Sequence, residues 1–378
     1  MTLYFVAGEV SADNHGAALM RCLREVDGEL KFVGRGGPQM QQVAGEQFKN
    51  WIGEAAVLGL WEVLRKYDYF QAQFQQTLKE IRESKPDAVV LIDYPGFNLR
   101  LARALRRQTP RQKIIYYISP QVWAWNRGRI KRMAHSIDLV LCIFPFEADL
   151  YNQAGLRASF VGHPMIERLK GRKIDAERDR NLIGLFPGSR SREVRKIFPV
   201  LLETAHELRK QNRNLHFEVA AASEQMAREM KPFVSGQDQS QDREAIQIKV
   251  DQTAAIMQRA WTGIVASGSA TLEAAYFRLP FVLIYKVAWP TYLAARLVVS
   301  VQYLGMPNLL AGKEVVPEFI QHRAKPSAIV KAVQPLIENG SAREQMISEF
   351  DVIIPKLGGS GASERAARTI IETIGSAT

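Results

Sequence analysis

Asp93 ends an apolar run, "AVVLID", and Tyr94-Pro95-Gly96 follow it at once. A carboxylate at the end of a buried strand loses hydration. Its pKa rises, and it can serve as a general base. The alternative is an Asp that caps the turn. Arg190 stands in "LFPGSRSREV" with Ser189, Ser191, Arg192 and Glu193, where a strand hands over to a helix. A helix start already presents unpaired N–H groups and a partial positive charge. Arginine there adds repulsion unless an anion is expected, and phosphate oxygens suit it. Arg192 and Arg195 read instead as helix-surface charge.

A second helix start, "VASGSATLEAA", offers Ser267, Gly268, Ser269 and Thr271, with Glu273 about one turn in. Glu273 could accept ribose hydroxyls while the N-terminus meets phosphate, or it could simply favour the helix dipole. The loop "AGEVSADNHG" places Glu9 between Gly8 and a helix that Ser11 or Asp13 could cap. Glu9 is then expected to point into a gap between domains. The loop lacks a full G-x-G-x-x-G pattern, so a dinucleotide fingerprint is not supported. In "ISPQVWAWNRGRIKRM", Trp123 and Trp125 sit beside Arg127, Arg129, Lys131 and Arg132. They could stack on bases or approach lipid headgroups, or be core tryptophans before a solvated basic helix. His163 in "VGHPMIE" could line a cleft or hold a turn. The histidines are scattered, and Cys22 and Cys142 stand in no metal or redox spacing. No metal and no cofactor is expected, and the compartment is read as reducing.

These loops need strands to carry them. "LYFVA", "AVVLID", "KIIYYIS", "DLVLCIF" and "ASFVG" alternate with helical stretches. "LIGLFP", "HFEVAA", "AIQIKV", "TGIVAS" and "PFVLIY" repeat the alternation. That order predicts parallel sheets covered by helices on both faces. The 378 residues exceed what one core usually holds. Two doubly wound α/β domains are expected. The boundary falls in the charged stretch "ERLKGRKIDAERDRN", 167 to 181, and "SGQDQSQDRE", 235 to 244, reads as a surface loop. The expected division is 1–166, 167–345, and C-terminal helices over 346–378 packing back on the first domain. Ligands in such sheets bind beyond the carboxyl ends of strands, which makes the loops above the informative ones.

The net charge of +11 fits nucleic acid, an anionic membrane surface or phosphorylated substrates. The basic residues spread over many helices, and no nucleic-acid motif is present. The opening "MTLYFVAGEVSAD" lacks the basic start and apolar length of a signal peptide. The longest apolar region is interrupted by Lys286, Pro290 and Arg296, too often for a spanning helix. The segments 56–70 and 289–306 mix aromatics, aliphatics and a few cations. They read as interfacial helices or as ordinary core helices.

In order and spacing, "AGEVSADNHG", "IDYPGFN", "SPQVWAW", "VGHP", "PGSRSREV", "ASGSATLEAA" and "YLGMPNLLAG" resemble the motifs of lipid-A-disaccharide synthase. That is a family of bacterial inverting glycosyltransferases, family 19. The resemblance covers nearly the whole chain. It implies the GT-B fold, two Rossmann-like domains facing each other across a cleft. It implies transfer of 2,3-diacylglucosamine from its UDP donor to the 6-hydroxyl of 2,3-diacylglucosamine 1-phosphate, without a metal. Asp93 would be the base, facing Arg190, which would hold the leaving diphosphate. Glu9, Glu273 and Asn308 match further motif positions. Ser11, Asp13, His15, Trp123 and His163 are carried as candidates for the acceptor side or the cleft. Two departures stand out. The usual S-G-D of the first loop is Ser11-Ala12-Asp13, whose methyl would hinder a positive φ. A second Asp of the "ID" loop is replaced by Gly96, which leaves Asp93 as the loop's only acid. The implied location is cytoplasmic, peripheral on the inner membrane's cytoplasmic face and its anionic lipids, with a homodimer as an option and no nucleic-acid partner. The competing readings are another GT-B UDP-sugar enzyme such as a UDP-GlcNAc epimerase, and a basic nucleic-acid-binding protein.

Overall fold

The structure is a computed structural model that describes residues 1–55, 67–125, 128–235, 245–298, 301–338 and 340–375. The expected loop 235 to 244 and the first part of segment 56–70 lie almost wholly outside these residues.

The chain forms two compact units, Met1–Pro164 with Leu357–Thr378, and Met165–Lys356. The first unit is built on seven parallel strands. These are β1 (Thr2–Ala7), β2 (Lys31–Gly36), β3 (Lys49–Asn50), β4 (Ala88–Ile92), β5 (Lys113–Tyr117), β6 (Leu139–Cys142) and β7 (Ala158–Phe160). Their order is β3-β2-β1-β4-β5-β6-β7. The second unit holds six: β8 (Asp179–Phe186), β9 (His216–Ala221), β10 (Ile246–Val250), β11 (Ala260–Ala266), β12 (Phe281–Tyr285) and β13 (Glu318–Ile320). Their order is β10-β9-β8-β11-β12-β13, again parallel.

The central strands are covered on both faces, which is why they read as unbroken apolar runs. All five residues of β4 are buried. One face packs Leu3, Phe5, Val90 and Ile92 against the helix Val10–Val26. The other packs Tyr4, Val6, Val89 and Leu91 against the helix Pro95–Gln108.

Each order reverses at one place, between β1 and β4 and between β8 and β11. There the two connections leave in opposite directions and open a crevice at the carboxyl ends. Ala7 pairs with Ile92, and Val265 with Phe186, so the neighbouring strands end level. Glu9 and Asp93 therefore leave one crevice, and Arg190 and the Ser267–Ser269 turn leave the other.

The return to the first unit begins later than the expected 346. The helix Ser341–Ile353 belongs to the second unit, because Phe350 stacks on Phe281 and the Met346 sulfur accepts the Phe281 N–H. Only from Leu357 does the chain join the first. The Arg365 guanidinium donates to the carbonyls of Val161, Ser360 and Gly359. The helix Ala362–Gly375 then lays Ala366, Ala367 and Ile370 into the core beside Leu19, Met20 and Leu23. Ile370 is fully buried. Ile370→Ala is expected to cost about 2–5 kcal/mol, as truncation of a buried aliphatic does. Urea unfolding followed by circular dichroism checks this. A loss below about 1 kcal/mol would place the helix outside the core.

Candidate active site

At the β1/β4 crevice the backbone is held in an unusual shape. Asp93 and Tyr94 both have left-handed φ, 46° and 49°. For residues with a side chain this costs about 1–2 kcal/mol each, so neighbours must enforce it. The Asn98 amide donates to the carbonyls of Ile92 and Asp93 at 3.2 and 2.8 Å, and the Tyr116 hydroxyl donates to the same Asp93 carbonyl. The Asp93 N–H is tied to the Tyr117 carbonyl on β5. The Tyr94 ring stacks on Phe97 and meets the edge of Trp51, whose indole N–H donates to the Ala7 carbonyl. That ring fills the space beside Gly8, where a Cβ would stand 2.4 Å from it. Gly8 is thus needed for close approach, and it brings the loops after β1 and β4 into contact.

The half-buried Asp93 carboxyl is pushed up to about 6. Burial is the larger cause, and the negative charge of Glu9 is the second. Burial, and then the charge of Glu9, also push the Tyr94 hydroxyl up to about 12. Glu9 itself is exposed at the N-cap of the helix Val10–Val26. The crevice therefore holds two neighbouring carboxylates, one exposed and one made basic near neutral pH.

Other residues expected near this loop fall elsewhere. Neither Ser11 nor Asp13 caps the helix by a side-chain bond. Asp13 is buried and accepts the N–H groups of Gly37, Gln39 and Met40 at 2.9–3.0 Å. It anchors the start of the helix Pro38–Ala44, a structural task that removes it from the crevice. Ser11 is exposed and His15 half-buried, both on the helix Val10–Val26. Ala12 is buried within that helix and has no positive φ, so its methyl hinders no turn. Trp123 is a core side chain whose indole donates to Glu147 at 2.8 Å. Burial pushes the Glu147 carboxyl up to about 7. The ring of His163 packs edge-on against Phe144, and the backbone N–H of His163 donates to the Leu357 carbonyl. The side chains of Trp125 and Arg127 lie outside the described residues.

At the β8/β11 crevice, Pro187-Gly188 turns the chain with Gly188 at φ 101°. Arg190 is the N-cap residue of the helix Ser191–Gln211. Its side chain is 73% exposed and meets Glu193 at 3.1 Å. Ser189 beside it is exposed. Arg195 pairs with Glu229, as surface charge does. Gly268, at φ 141°, caps the helix Ser269–Tyr276, and a Cβ there would meet nothing within 4 Å. Backbone and open space meet at that point, which suits a ligand's approach. Ser267 is half-buried and Ser269 exposed, while the buried Thr271 hydroxyl donates to the Gly268 carbonyl. Glu273 pairs with Arg168 at 2.7 Å. Two helix starts and one exposed guanidinium thus surround the crevice, an arrangement that favours an anion of several oxygens.

Asn308 does not join this group. It is fully buried, and its amide makes four hydrogen bonds, with Val316 O, Glu318, Val315 N and Val316 N. It shapes the loop before β13. Sequence reasoning missed Tyr94, Glu193, Arg168 and Tyr285. Tyr285 ends β12, and its hydroxyl is raised by burial and then by Glu193, against the opposing charge of Arg190. Its place at the end of "FVLIY", beside β11, was the available signal. Among the described residues no group of three or more His, Cys, Asp or Glu is placed to hold a metal ion.

The family model of lipid-A-disaccharide synthetase, LpxB, matches residues 3–367. A lipid-A-disaccharide synthase of Geobacter sulfurreducens is 37% identical over 383 residues, covering 99% of this chain and 97% of that one. Among solved structures, the S. aureus MnaA–UDP complex superposes with TM-score 0.65 at 12% identity, covering 99% and 97% of the two chains. Acinetobacter baumannii MurG does so with TM-score 0.54 at 11% identity, covering 98% and 99%. At such identities these two establish the GT-B fold alone. The span and identity of the first two matches settle the assignment: the chain belongs to the lipid-A-disaccharide synthetase family.

Proposed function

We propose that Asp93 and Arg190 divide the chemistry of lipid A disaccharide synthesis between the two units. As a member of its family the chain is a glycosyltransferase. It transfers 2,3-diacylglucosamine from the UDP donor to 2,3-diacylglucosamine 1-phosphate, yielding the β-1,6 disaccharide 1-phosphate and UDP. The observation that carries the division of labour is that both strand-order reversals release chemically armed loops. One carries a carboxyl held near pKa 6 with Glu9 beside it, and the other an exposed arginine between two helix starts.

Asp93 takes the proton of the acceptor's 6-hydroxyl as its oxygen attacks the anomeric carbon. The bond from that carbon to the diphosphate oxygen breaks, and the configuration inverts. Glu9 keeps Asp93 basic by its charge. The negative charge that grows on the leaving UDP falls to Arg190 and to the N–H groups of the helices at Ser191 and Ser269. Glu273 and Ser267 stand where ribose or sugar hydroxyls would meet the same helix start. Mass spectrometry after incubation with the two lipid substrates should give the disaccharide 1-phosphate and UDP together. Release of the free donor sugar, or an epimerised UDP-sugar, would overturn the reading.

Both substrates carry acyl chains, so the protein must meet a lipid surface. Among the described residues no helix is long and apolar enough to cross a membrane. The helix Trp289–Val298 instead exposes Trp289 at 56% and Leu293 at 58%, one turn apart on the same side. With the net charge of +11 this supports peripheral binding at the cytoplasmic face of the inner membrane. Flotation with anionic vesicles should show binding at low salt that weakens as salt screens the charge. Failure to float at low salt would reject membrane association.

A further inference from the structure

The first unit contains a small cavity that the mechanism above does not use. Arg100 and Arg103 on the helix Pro95–Gln108 line it, together with Arg129 and Arg132 on the helix Gly128–Ala134. The rim begins at Pro95 and Gly96, directly after the Asp93 turn. Each arginine pair is spaced i, i+3, so both guanidinium groups of a helix share one side. Among the described residues no carboxylate lines the cavity. Arg106, further along the same helix, does have an acid, pairing with Asp138 at 2.6 Å. Arg100, Arg103 and Arg132 form no ion pair among the described residues. These three cations around one cavity repel one another unless an anion sits among them.

We propose that this four-arginine cavity binds the phosphate monoester of the lipid acceptor and thereby orients its hydroxyl toward Asp93. The proposal rests on the reading of the chain as a transferase that uses a sugar 1-phosphate. Three features select this ligand. A phosphate monoester carries close to two negative charges at neutral pH, more than a diester headgroup, and suits several guanidinium forks at once. The cavity measures about 190 Å³, smaller than the pockets that enclose whole ligands, so it fits a charged head and not the acylated sugar. Its rim is continuous with the loop of the candidate base, while the diphosphate loops belong to the other unit.

The test uses the full chain with Arg103→Ala and Arg132→Ala combined, one change on each exposed helix face. Two acceptors are compared in neutral detergent micelles, diacylglucosamine 1-phosphate and the same lipid with a methyl group in place of the phosphate. The variant should raise KM for the phosphorylated acceptor by about tenfold or more, the worth of a charged hydrogen-bond contact. Its kcat/KM for the methyl acceptor and its KM for the UDP donor should match wild type. An equal loss on both acceptors, or no loss on either, overturns the proposal. Unchanged KM values with lost flotation on anionic vesicles also overturn it, and assign the cavity to membrane headgroups. A wild-type chain that transfers to neither acceptor refutes the reaction reading itself, and the cavity's role with it.

Discussion

Asp93→Asn is expected to lower turnover by about 10² to 10⁴, the usual cost of losing a positioned general base. The replacement keeps the size of the side chain. The hydrogen bonds that set the turn are backbone ones at Asp93, whose carbonyl accepts from Asn98 and Tyr116 and whose N–H donates to the Tyr117 carbonyl, so the loop should keep its shape. The pH profile adds an independent readout. A base works only when ionised, so kcat/KM should rise with pH through about 6 and level off above it. Glu9 raises Asp93 by its charge, so Glu9→Gln should move that limb to lower pH. An Asp93→Asn enzyme with near-normal turnover would send the role to another group, with Glu9 and His15 next to be examined.

Arg190→Ala is expected to reduce turnover by about 10² or more, as removal of a group that stabilises developing charge does. Stability should hardly change. The guanidinium is mostly exposed, and its pair with Glu193 is a surface ion pair of small worth. Arg190→Lys should recover only part of the rate, because an ammonium offers a point charge where a fork can grip two oxygens. Steady-state kinetics with a UDP-release readout measures all three enzymes. Turnover near wild type in Arg190→Ala would remove this residue from the mechanism.

Much of the fold was legible because both central sheets are buried on two faces. Runs such as "AVVLI" and "FVLIY" carry no alternation and need no neighbour to be recognised. Three strands were not legible. β2, "KFVGRG", carries two charges and two glycines, and its Gly34 lies so close to Phe5 that a Cβ would sit 2.1 Å from that residue's carbonyl. β3 and β13 are two and three residues long and owe their state to the strand beside them. The crevice loops were legible through residue type, as a carboxylate or arginine at a strand end is hard to explain by packing.

What stayed hidden were partners distant in sequence. Asp13 looked like a cap for its own helix, yet its oxygens accept the N–H groups of residues 37, 39 and 40. Asn308 sits in a motif, but only the fold shows that Val315, Val316 and Glu318 use its amide. The left-handed turn at Asp93 and Tyr94 has only a weak local signal, since Asp enters that region more often than most residues but a tyrosine directly after it does not favour it.

The central claim, a proton-accepting loop in one unit and a diphosphate-holding loop in the other, is tested most directly by titrating UDP calorimetrically into wild type, Asp93→Asn and Arg190→Ala. The account predicts that Asp93→Asn binds UDP as wild type does although it cannot turn over. Arg190→Ala should bind it about tenfold more weakly or worse, the worth of a charge-assisted contact. Lost UDP affinity in Asp93→Asn together with normal affinity in Arg190→Ala would contradict it.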